Sequence, residues 1–415
     1  MRHLLTVAGR VPRASAIALV PSPAAARNEA LDVRGEEGWL SLLTPHILPL
    51  TDMQITNLPT PALLLDLDRL EANLARMAQR ARALRVALRP HIKTHKCVEI
   101  AERQRALGAS GITVSTLYEG QVFAQHGFDD LTWAFPVPLT RLPQAQTVAQ
   151  GARLGLVADT PDTVAALERF GHPFHVWLKV DCGYHRAGVD PCAEWSLELA
   201  RTLHDSRVLR FAGILSHSGH AYHARSRAEM AAAAEEERRI MTAFAARLRE
   251  AGIHVPQVSV GSTPAMSVVE RLDGVDEARP GNYAFYDYTQ TVLGSCAVTD
   301  CAVTVLASVV SSQPGARHSI VDAGALALSK DTGPEHGPHR TMGEIFEDYD
   351  RGRLRADAHL ISLSQEHGVV SARLPVGEQV RVLPNHSCLT AACFDEYHVV
   401  RGHEVVGRWK IWRGR

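Results

Sequence analysis

Apolar and polar positions follow two different patterns along this chain. From residue 60 onward, short apolar runs rich in valine, leucine and isoleucine are separated by amphipathic segments of helical period. Two such segments are RLEANLARMAQRARAL, from Arg69, and RAEMAAAAEEERRIMTAFAARLRE, from Arg227. Apolar runs that alternate with helical segments predict βα units around a parallel sheet.

Eight of the apolar runs are candidate strands of one sheet. They are LLLDL from Leu63, VALRPHI from Val86, ITVST from Ile112, LTWAF from Leu131, LGLVAD from Leu154, FHVWLKVD from Phe174, RFAGILSH from Arg210 and QVSVGS from Gln257. Eight repeats over about 200 residues predict a (β/α)8 barrel, which typically takes about 250 residues. A doubly wound open sheet is the alternative, but no GxGxxG motif follows the first strand.

The pattern changes after residue 290, where strands follow one another with turn residues between them. The runs are CAVTVLASVVSSQ, SIVDAGALAL, GVVSARL, GEQVRVLP and YHVVRGHEVVGRWKIW. Consecutive strands without helical segments predict a second, mostly β domain. We therefore expect an α/β chain with a TIM-like barrel over residues 59–288 and a β domain over residues 289–415.

The first 52 residues differ in composition from the rest of the chain. Four arginines, from Arg2 to Arg27, precede the first acidic residue, Glu29, among alanine, serine and proline. This composition resembles that of a transit peptide. We prefer the alternative of a disordered extension, or of a start assigned too early, with Met53 as the initiator.

Composition and charge exclude several classes of partner. Lys and Arg total 44 and Asp and Glu total 45, a net charge of −1, so no basic surplus is available for a nucleic-acid backbone. No run reaches the roughly 18 apolar residues of a membrane-spanning helix, so we expect a soluble protein without a membrane partner. The seven cysteines are scattered and form no CxxC pair, which indicates a reduced, cytoplasmic protein.

The second candidate strand ends in PHIKTHK and places Lys93 at the mouth of the predicted barrel. Reactive groups of barrel enzymes lie at the carboxyl ends of the strands. A partly desolvated lysine there has a lowered pKa and a nucleophilic amine, as a Schiff-base lysine requires. A solvated lysine is the alternative, and Lys96 competes for the same role.

Two later segments could bind an anion. GSTP ends the eighth candidate strand, and EARPGNY follows shortly after it. Barrels frequently bind phosphate with the loops after strands seven and eight, and small residues with an arginine suit an anion. The candidate residues are Gly261, Ser262, Thr263, Arg279, Gly281 and Asn282. A lysine that faces a phosphate site across a barrel mouth is what pyridoxal phosphate requires, so the sequence favours this cofactor.

Residues after two more strands complete the candidate site. Arg186 or Tyr184, in KVDCGYHRAG, could contact the cofactor ring or the substrate carboxylate. Tyr222 could stack on a ligand or form a hydrogen bond with it. The same LSHSGHAYH segment holds three histidines at intervals of three, for which we prefer loop residues bonded to backbone over a metal cluster. They are His217, His220 and His223.

The β domain contains a candidate metal pair in LPNHSCLT. Residues two apart on a strand point to one face, so His386 and Cys388 can offer imidazole and thiolate to one ion. This combination favours zinc over manganese. Two protein ligands leave room for a water or a substrate oxygen, and His367 is a candidate third ligand.

As an ordered set, the motifs of this chain resemble those of the fold-type III pyridoxal-phosphate family that includes D-threonine aldolase, D-serine dehydratase and 3-hydroxy-D-aspartate dehydratase. The matching segments are TPALLLDLDRLEAN, RPHIKTHKC, GSTP, RPGNYAFYD, VDAGALALS and PNHSC. They run from about residue 59 to the end of the chain, and together they are highly specific.

The resemblance implies a barrel of the alanine-racemase type, a β domain, and a homodimer with its active site near the subunit interface. It implies that Lys93 is the Schiff-base lysine and that His386 and Cys388 are the metal ligands that separate this branch from the racemases. A β-hydroxy-D-amino acid is the implied small-molecule substrate, and its stereochemistry comes from the resemblance alone.

The aldolase branch often carries aspartate at the position where this chain has Cys388. The resemblance therefore favours D-serine dehydratase, which forms pyruvate and ammonia. D-threonine aldolase, which forms glycine and an aldehyde, is the alternative. A racemase and a non-catalytic cofactor-binding protein are more distant alternatives.

Overall fold

The computed structural model describes residues 53–415, so the extension predicted for residues 1–52 lies outside the described residues. The strands are β1 (Ala62–Asp66), β2 (Ala87–Leu88), β3 (Ile112–Val114), β4 (Asp130–Pro136), β5 (Arg153–Ala158), β6 (His175–Lys179), β7 (Arg210–Leu215), β8 (Val258–Val260), β9 (Glu277–Ala278), β10 (Val303–Ser311), β11 (Ser319–Val321), β12 (Gly343–Asp348), β13 (Arg353–Leu363), β14 (Gly368–Val370), β15 (Gln379–Leu383), β16 (Glu396–Arg401) and β17 (Glu404–Lys410). The α-helices are α1 (Leu67–Ala83), α2 (Val98–Ala106), α3 (Leu117–Gln125), α4 (Leu142–Ala149), α5 (Pro161–Phe170), α6 (Glu194–Asp205), α7 (Arg227–Glu250), α8 (Thr263–Val268), α9 (Tyr288–Leu293), α10 (Ala325–Leu328) and α11 (Ser387–Ala391).

Eight parallel strands form the predicted barrel. Their order is β2-β9-β8-β7-β6-β5-β4-β3. A parallel bridge between His91 and Thr113 joins the two outer strands and closes the sheet on itself. Strands β5 to β8 are almost entirely buried, as expected for parallel strands that are covered on both faces.

Helix α7 shows how local sequence forms these elements. Ser226 caps the first turn by accepting the backbone N–H of Glu229 at 3.2 Å. Arg247 and Arg249 lie in the last turn, where a positive charge suits the helix dipole. The buried face of the helix packs against β7 and β8, the strands that precede two loops of the candidate site.

The expectation that the first candidate strand belongs to the barrel is wrong. β1 lies in a nine-stranded sheet, where it pairs antiparallel with β10 and parallel with β16. All five of its residues are buried. An apolar run of this kind suits a barrel strand and a central strand of another sheet equally well, so only the pairing distinguishes them.

The eighth strand of the barrel is β9 instead. This strand has two residues, both buried, and is too short to show a period in the sequence. GSTP therefore follows the seventh barrel strand and RPGNY follows the eighth. These are the two positions from which barrel loops frequently bind phosphate.

The mostly β second part of the chain is confirmed. Its sheet has the order β11-β14-β13-β12-β15-β10-β1-β16-β17, and β10 also pairs with β11. One apolar core extends from the barrel into this sheet. The rings of Phe285 and Tyr397 meet within it at 5.5 Å between centroids. The domain boundary between residues 288 and 289 remains a prediction from the sequence.

Within residues 53–415, none of the helices is both long enough and apolar enough to span a bilayer.

Candidate active site

Lys93 lies at the barrel mouth, in the 3₁₀-helix Ile92–Thr94 that follows β2. The Nδ1 of His91 accepts the backbone N–H of Lys93 at 3.4 Å. The side chain of Lys93 is exposed to solvent at the barrel mouth, and other protein groups lie close around it. Burial lowers the pKa of Lys93; the charge of Cys388 opposes this effect and that of Arg186 adds to it. The amine is thereby biased toward its neutral, nucleophilic form.

Several other basic groups surround this lysine. Lys179 ends β6, and His217 follows β7. Burial, assisted by the charge of Arg279, lowers the pKa of Lys179 to about 8. Burial also lowers the pKa of His91 and of His217 well below the usual value, so both rings are neutral near pH 7. The positive charge near this lysine therefore comes from Lys179 and Arg279, and it favours an anionic ligand.

The two predicted anion-binding segments lie side by side. Thr263 Oγ1 accepts the backbone N–H of Tyr283 at 3.1 Å and so joins the loop after β8 to the loop after β9. Ser262 Oγ accepts a backbone N–H of the first turn of α8 at 3.3 Å. The N–H of Gly261 donates to the buried Glu237 carboxylate at 3.3 Å, so this group is engaged within the protein.

Gly281 lies where the loop after β9 approaches the Lys93 segment. A Cβ at this position would be 2.8 Å from the carbonyl oxygen of His91 and 3.0 Å from Thr94 Oγ1. A larger residue would therefore push the two segments apart. The glycine keeps Lys93 close to the predicted anion site.

Arg279 lies beneath the barrel mouth. Its guanidinium donates to Ser259 Oγ and to the carbonyl oxygen of Ser216, and burial lowers its pKa to about 10. The arginine therefore places a positive charge inside the barrel, and its hydrogen bonds are made with barrel residues.

Asn282 directs its side chain toward the β domain. Its Nδ2 donates to Asp287 Oδ2 at 2.6 Å and to Ser387 Oγ at 3.1 Å, and it lies 3.6 Å from Cys388 Sγ. The sequence places this asparagine with the phosphate-binding residues, whereas the structure places its side chain beside the candidate metal pair.

The loop after β6 lies at the mouth of the barrel. The guanidinium carbon of Arg186 is 5.0 Å from the centroid of the Tyr184 ring. That ring meets His217 edge-on at 6.0 Å. A Cβ at Gly219 would overlap Tyr184, so the tyrosine ring packs directly on the loop after β7. Tyr184 and Arg186 therefore lie together on one side of the site.

Tyr222 lies in the 3₁₀-helix Gly219–His223 and faces the candidate metal pair. Burial raises the pKa of Tyr222 well above its usual value; the charges of Cys388 and Asp287 add to this, and a hydrogen bond with Gln290 opposes it. The phenol therefore stays protonated near neutral pH and can donate a hydrogen bond to a ligand.

The other histidines do not form a metal site within the described chain. No three histidine, cysteine, aspartate or glutamate residues of the 53–415 segment are grouped around one possible ion position. His217 lies at the barrel mouth, His223 is exposed, and both ring nitrogens of His220 are buried without a hydrogen-bond partner. His367 is exposed in the turn between β13 and β14, so the structure does not support it as a third ligand.

The candidate metal pair lies at the start of α11, not on a strand as expected. β15 ends at Leu383, and His386 is the N-cap of the helix. Burial would raise the pKa of Cys388, but the charge of His386 and a hydrogen bond from it lower that pKa to about 7. Burial would lower the pKa of His386, but the charge of Cys388 and the hydrogen bond to Asp331 raise it to about 11. The thiolate is the form that binds a metal.

Thr94 connects the lysine to this pair. The Sγ of Cys388 is 3.3 Å from Thr94 Oγ1, and Thr94 is the neighbour of Lys93 in the chain. The structure thus brings together a candidate nucleophile after the first barrel strand and a candidate metal pair in the β domain.

Two carboxylates at the metal pair were not predicted. Asp331 Oδ2 is 3.0 Å from His386 Nδ1. Asp287 accepts the backbone N–H and the hydroxyl of Ser387 at 3.0 and 3.2 Å. Asp287 could have been found as the N-cap of α9. Asp331 follows α10 in a loop without a local pattern, so nothing in the sequence indicated that it meets His386.

Comparison with known proteins yields matches along most of the described chain. The family described as alanine racemase, N-terminal domain, matches residues 65–289, and the family described as putative serine dehydratase domain matches residues 302–400. The D-threo-3-hydroxyaspartate dehydratase of Delftia sp. (strain HT23) is 39% identical over 378 residues, which cover 87% of this chain and 99% of that protein. The D-serine dehydratase of Dictyostelium discoideum is 35% identical over 385 residues, with coverage of 86% and 97%.

A D-threonine aldolase from Arthrobacter sp. is 32% identical over 372 residues and covers 86% of this chain and 93% of that protein. The solved structure of the Delftia dehydratase superposes with a TM-score of 0.83 at 39% identity, with coverage of 87% of this chain and all of that chain. Two variants of a D-threo-3-hydroxyaspartate dehydratase are also similar in structure: a cysteine-to-alanine variant in the metal-free form and a histidine-to-alanine variant, with the substituted residues two positions apart.

Proposed function

Because this chain belongs to the family in which an alanine racemase N-terminal domain precedes a serine dehydratase-like domain, we propose that it is a pyridoxal-phosphate-dependent lyase that dehydrates a β-hydroxy-D-amino acid. D-Serine, which would give pyruvate and ammonia, is the proposed substrate. The observation that carries the proposal is the contact between the two halves of the site, in which Cys388 Sγ lies 3.3 Å from Thr94 Oγ1, next to Lys93.

The residues at the barrel mouth fit pyridoxal phosphate. Lys93 offers an amine whose pKa is lowered by burial, as the bond to an aldehyde carbon requires. Thr263 and Gly281 lie on the two loops that suit a phosphate, and the small glycine lets its loop approach the Lys93 segment closely. Arg279 and Lys179 add positive charge close to these loops. We assign the cofactor to this space, with Tyr222 and Arg186 on its substrate side.

The donor set of His386 and Cys388 fits a zinc ion better than a manganese ion. Imidazole with thiolate is a soft set, and manganese prefers oxygen ligands. A thiol pKa of about 7 makes the thiolate available near neutral pH. The histidine and cysteine substituted in the two solved dehydratase variants are two positions apart, as His386 and Cys388 are, and one variant is described as metal-free; this supports the metal pair.

When bound near Lys93, pyridoxal phosphate would supply an electron sink for the substrate Cα, and a zinc ion held by His386 and Cys388 would supply a Lewis acid for the departing hydroxide. In the proposed reaction Lys93 Nζ removes the Cα proton and holds it. Arg186 binds the substrate carboxylate, and Tyr222 donates a hydrogen bond on the metal side. Loss of hydroxide from Cβ leaves an enamine, which hydrolyses to the keto acid and ammonia.

Retro-aldol cleavage is the second candidate function, and the 32% identity to a D-threonine aldolase favours it. It needs a base that removes the proton of the β-hydroxyl group. The Cα–Cβ bond then breaks to give glycine and an aldehyde. Incubation of the reconstituted protein with D-serine and with D-threonine, followed by product analysis, decides between the two. Pyruvate with ammonia supports the proposal, whereas glycine with acetaldehyde contradicts it.

The role of Lys93 is tested separately from turnover. Borohydride reduction of the reconstituted protein, followed by peptide mapping, should add the mass of the cofactor to the peptide that contains Lys93. The Lys93→Ala variant should lose this modification. Lys410→Met is the matched control, because Lys410 is exposed on β17; it should keep the modification. An unmodified Lys93 peptide in the wild type would remove the basis of the proposal.

We further propose that the protein is a cytoplasmic homodimer. The family resemblance supports the dimer, and the scattered cysteines support the reducing compartment. Light scattering at micromolar concentration tests the dimer directly: a mass near twice the 45.3 kDa of the chain is the expected result.

A further inference from the structure

The imidazole of His386 makes two contacts in the described structure. Its Nδ1 lies 3.0 Å from Asp331 Oδ2, and the ring also lies beside the Cys388 side chain. A metal ion binds only a deprotonated ring nitrogen, so Nε2 must release its proton to solvent when an ion binds; the neutral tautomer that still donates from Nδ1 then has a free lone pair on Nε2. A carboxylate at Nδ1 therefore selects the form in which Nε2 can bind a metal.

Asp331 is itself held in place by the backbone around it. Its Oδ1 accepts the N–H of Gly333 at 3.0 Å, and its carbonyl oxygen accepts Nδ2 of Asn385 at 2.9 Å. Asn385 also donates to the carbonyl oxygen of Thr341 at 2.7 Å. The loop that carries Asp331 is thus tied at both ends to the residue that precedes His386.

The turn after Asp331 lies tight against the same asparagine. Gly333 has a φ of +73°, and a Cβ there would be 2.9 Å from the side-chain carbon of Asn385. The side chains of Asp331 and His386 are 29% and 38% exposed, values that an unsupported surface ion pair could also show. Exposed ion pairs on mobile side chains contribute little to stability. This pair differs from them because hydrogen bonds hold the backbone and the carboxylate of Asp331 in place.

We propose that Asp331 is a positioning residue of the metal site. Its carboxylate accepts the Nδ1–H of His386, fixes the orientation of the ring and presents Nε2 on the side of Cys388. Carboxylates that orient a ligating histidine in this way typically change metal affinity by about 10-fold to 100-fold when they are removed. The inference rests on the metal site of the proposed function. It adds to that site Asp331, a residue that lies outside the PNHSC motif.

Cobalt(II) is the probe for the test, because a thiolate ligand gives it a charge-transfer absorption band. Metal-depleted full-length protein is titrated with Co²⁺ against a competing chelator, and the dissociation constant and the band are recorded. Asp331→Asn should weaken binding by about 10-fold to 100-fold, with the band per bound ion unchanged. Asp331→Glu, which keeps the carboxylate, should recover part of the affinity.

Asp205→Asn is the matched control. Asp205 Oδ1 also pairs with a histidine ring nitrogen, that of His204, at 2.8 Å, but the pair lies at the end of α6, outside the site. This variant should bind Co²⁺ within twofold of the wild type. Circular dichroism and urea unfolding of each variant establish that the compared proteins are folded.

The outcomes separate the two proposals. Wild-type affinity in a folded Asp331→Asn variant would overturn the role of Asp331 while leaving the metal pair intact. A changed band in that variant would also overturn it, because Asp331 would then be a direct ligand. If the wild type binds no Co²⁺, or if Cys388→Ser keeps the full band, the metal site itself fails and both proposals fall.

Discussion

The side-chain amide of Asn282 donates a hydrogen bond to the Asp287 carboxylate, with 2.6 Å between Nδ2 and Oδ2. The same carboxylate oxygen accepts the backbone N–H and the hydroxyl of Ser387 at 3.0 and 3.2 Å, and the other oxygen caps α9 through the N–H of Gln290 at 3.0 Å. One buried aspartate therefore joins the loop after the last barrel strand to the segment between His386 and Cys388.

Loss of this carboxylate should destabilise the fold. Asp287→Ala leaves buried donors of Asn282 and Ser387 without a partner, and each unsatisfied buried group costs about 1–3 kcal/mol. We expect the free energy of unfolding in urea to fall by about 2–5 kcal/mol. Asp129→Ala is the control, because Asp129 is exposed; it should change the value by no more than about 0.5 kcal/mol. Equal values for the two variants would contradict the joining role.

The lowered pKa of Lys93 predicts a shifted pH dependence of cofactor binding. The neutral amine is the form that attacks the aldehyde. Burial raises the fraction of the Lys93 amine that is neutral at a given pH. The rate at which the cofactor-free protein takes up pyridoxal phosphate should therefore rise with pH with a midpoint below 10.5, the ordinary lysine value. Stopped-flow absorbance across the pH range measures this midpoint. A midpoint at or above the ordinary value would mean that the amine is fully solvated.

Metal removal should abolish the proposed dehydration without unfolding the protein. We expect dialysis against a chelator to lower pyruvate formation by at least about 100-fold, since the Lewis acid on the leaving hydroxide supplies several kcal/mol. Addition of Zn²⁺ should restore it. Cys388→Ser, which keeps the size of the side chain but removes the thiolate, should need a higher Zn²⁺ concentration. Activity that persists in the chelated protein would exclude a catalytic metal.

A buried ion network supports the barrel floor and gives a stability prediction. Arg89, with its side chain 2% exposed, donates to Glu277 Oε2 at 2.7 Å and to Asp130 Oδ2 at 2.8 Å. Removing one partner of a buried pair costs about 3–5 kcal/mol, because the other charge stays buried. Arg89→Met should lower the free energy of unfolding by this amount. A loss below about 1 kcal/mol would show that water reaches Glu277.

The same network makes stability depend on pH in the acid range. Burial would raise the pKa of Asp130, but the hydrogen bonds and charges of Arg89 and Arg153 outweigh it and hold the pKa below 3.8. The ionised carboxylate therefore contributes stability above pH 3.8, and this contribution is lost as the pH falls through the folded-state value. The stability difference between wild type and Asp130→Asn should be constant near pH 7 and shrink below about pH 4. Urea unfolding at several pH values measures it.

The sequence by itself determined the classes of structure and indicated the candidate residues of the site. Strand and helix periods give the barrel and the β part, because those periods follow from backbone geometry and burial. Lys93 was predicted as a site residue because strand ends of a barrel carry reactive groups, and His386 with Cys388 was predicted as a metal pair because few residue types bind soft metals.

Only the tertiary structure decided which elements meet. β1 joins the nine-stranded sheet and β9 completes the barrel, since strand pairing depends on partners far away in the chain. Asn282 turns from the predicted phosphate loop to the metal pair. Asp331 meets His386 across 55 residues of sequence. Contacts of this kind arise from the packing of distant segments, which no local period of apolar and polar residues records.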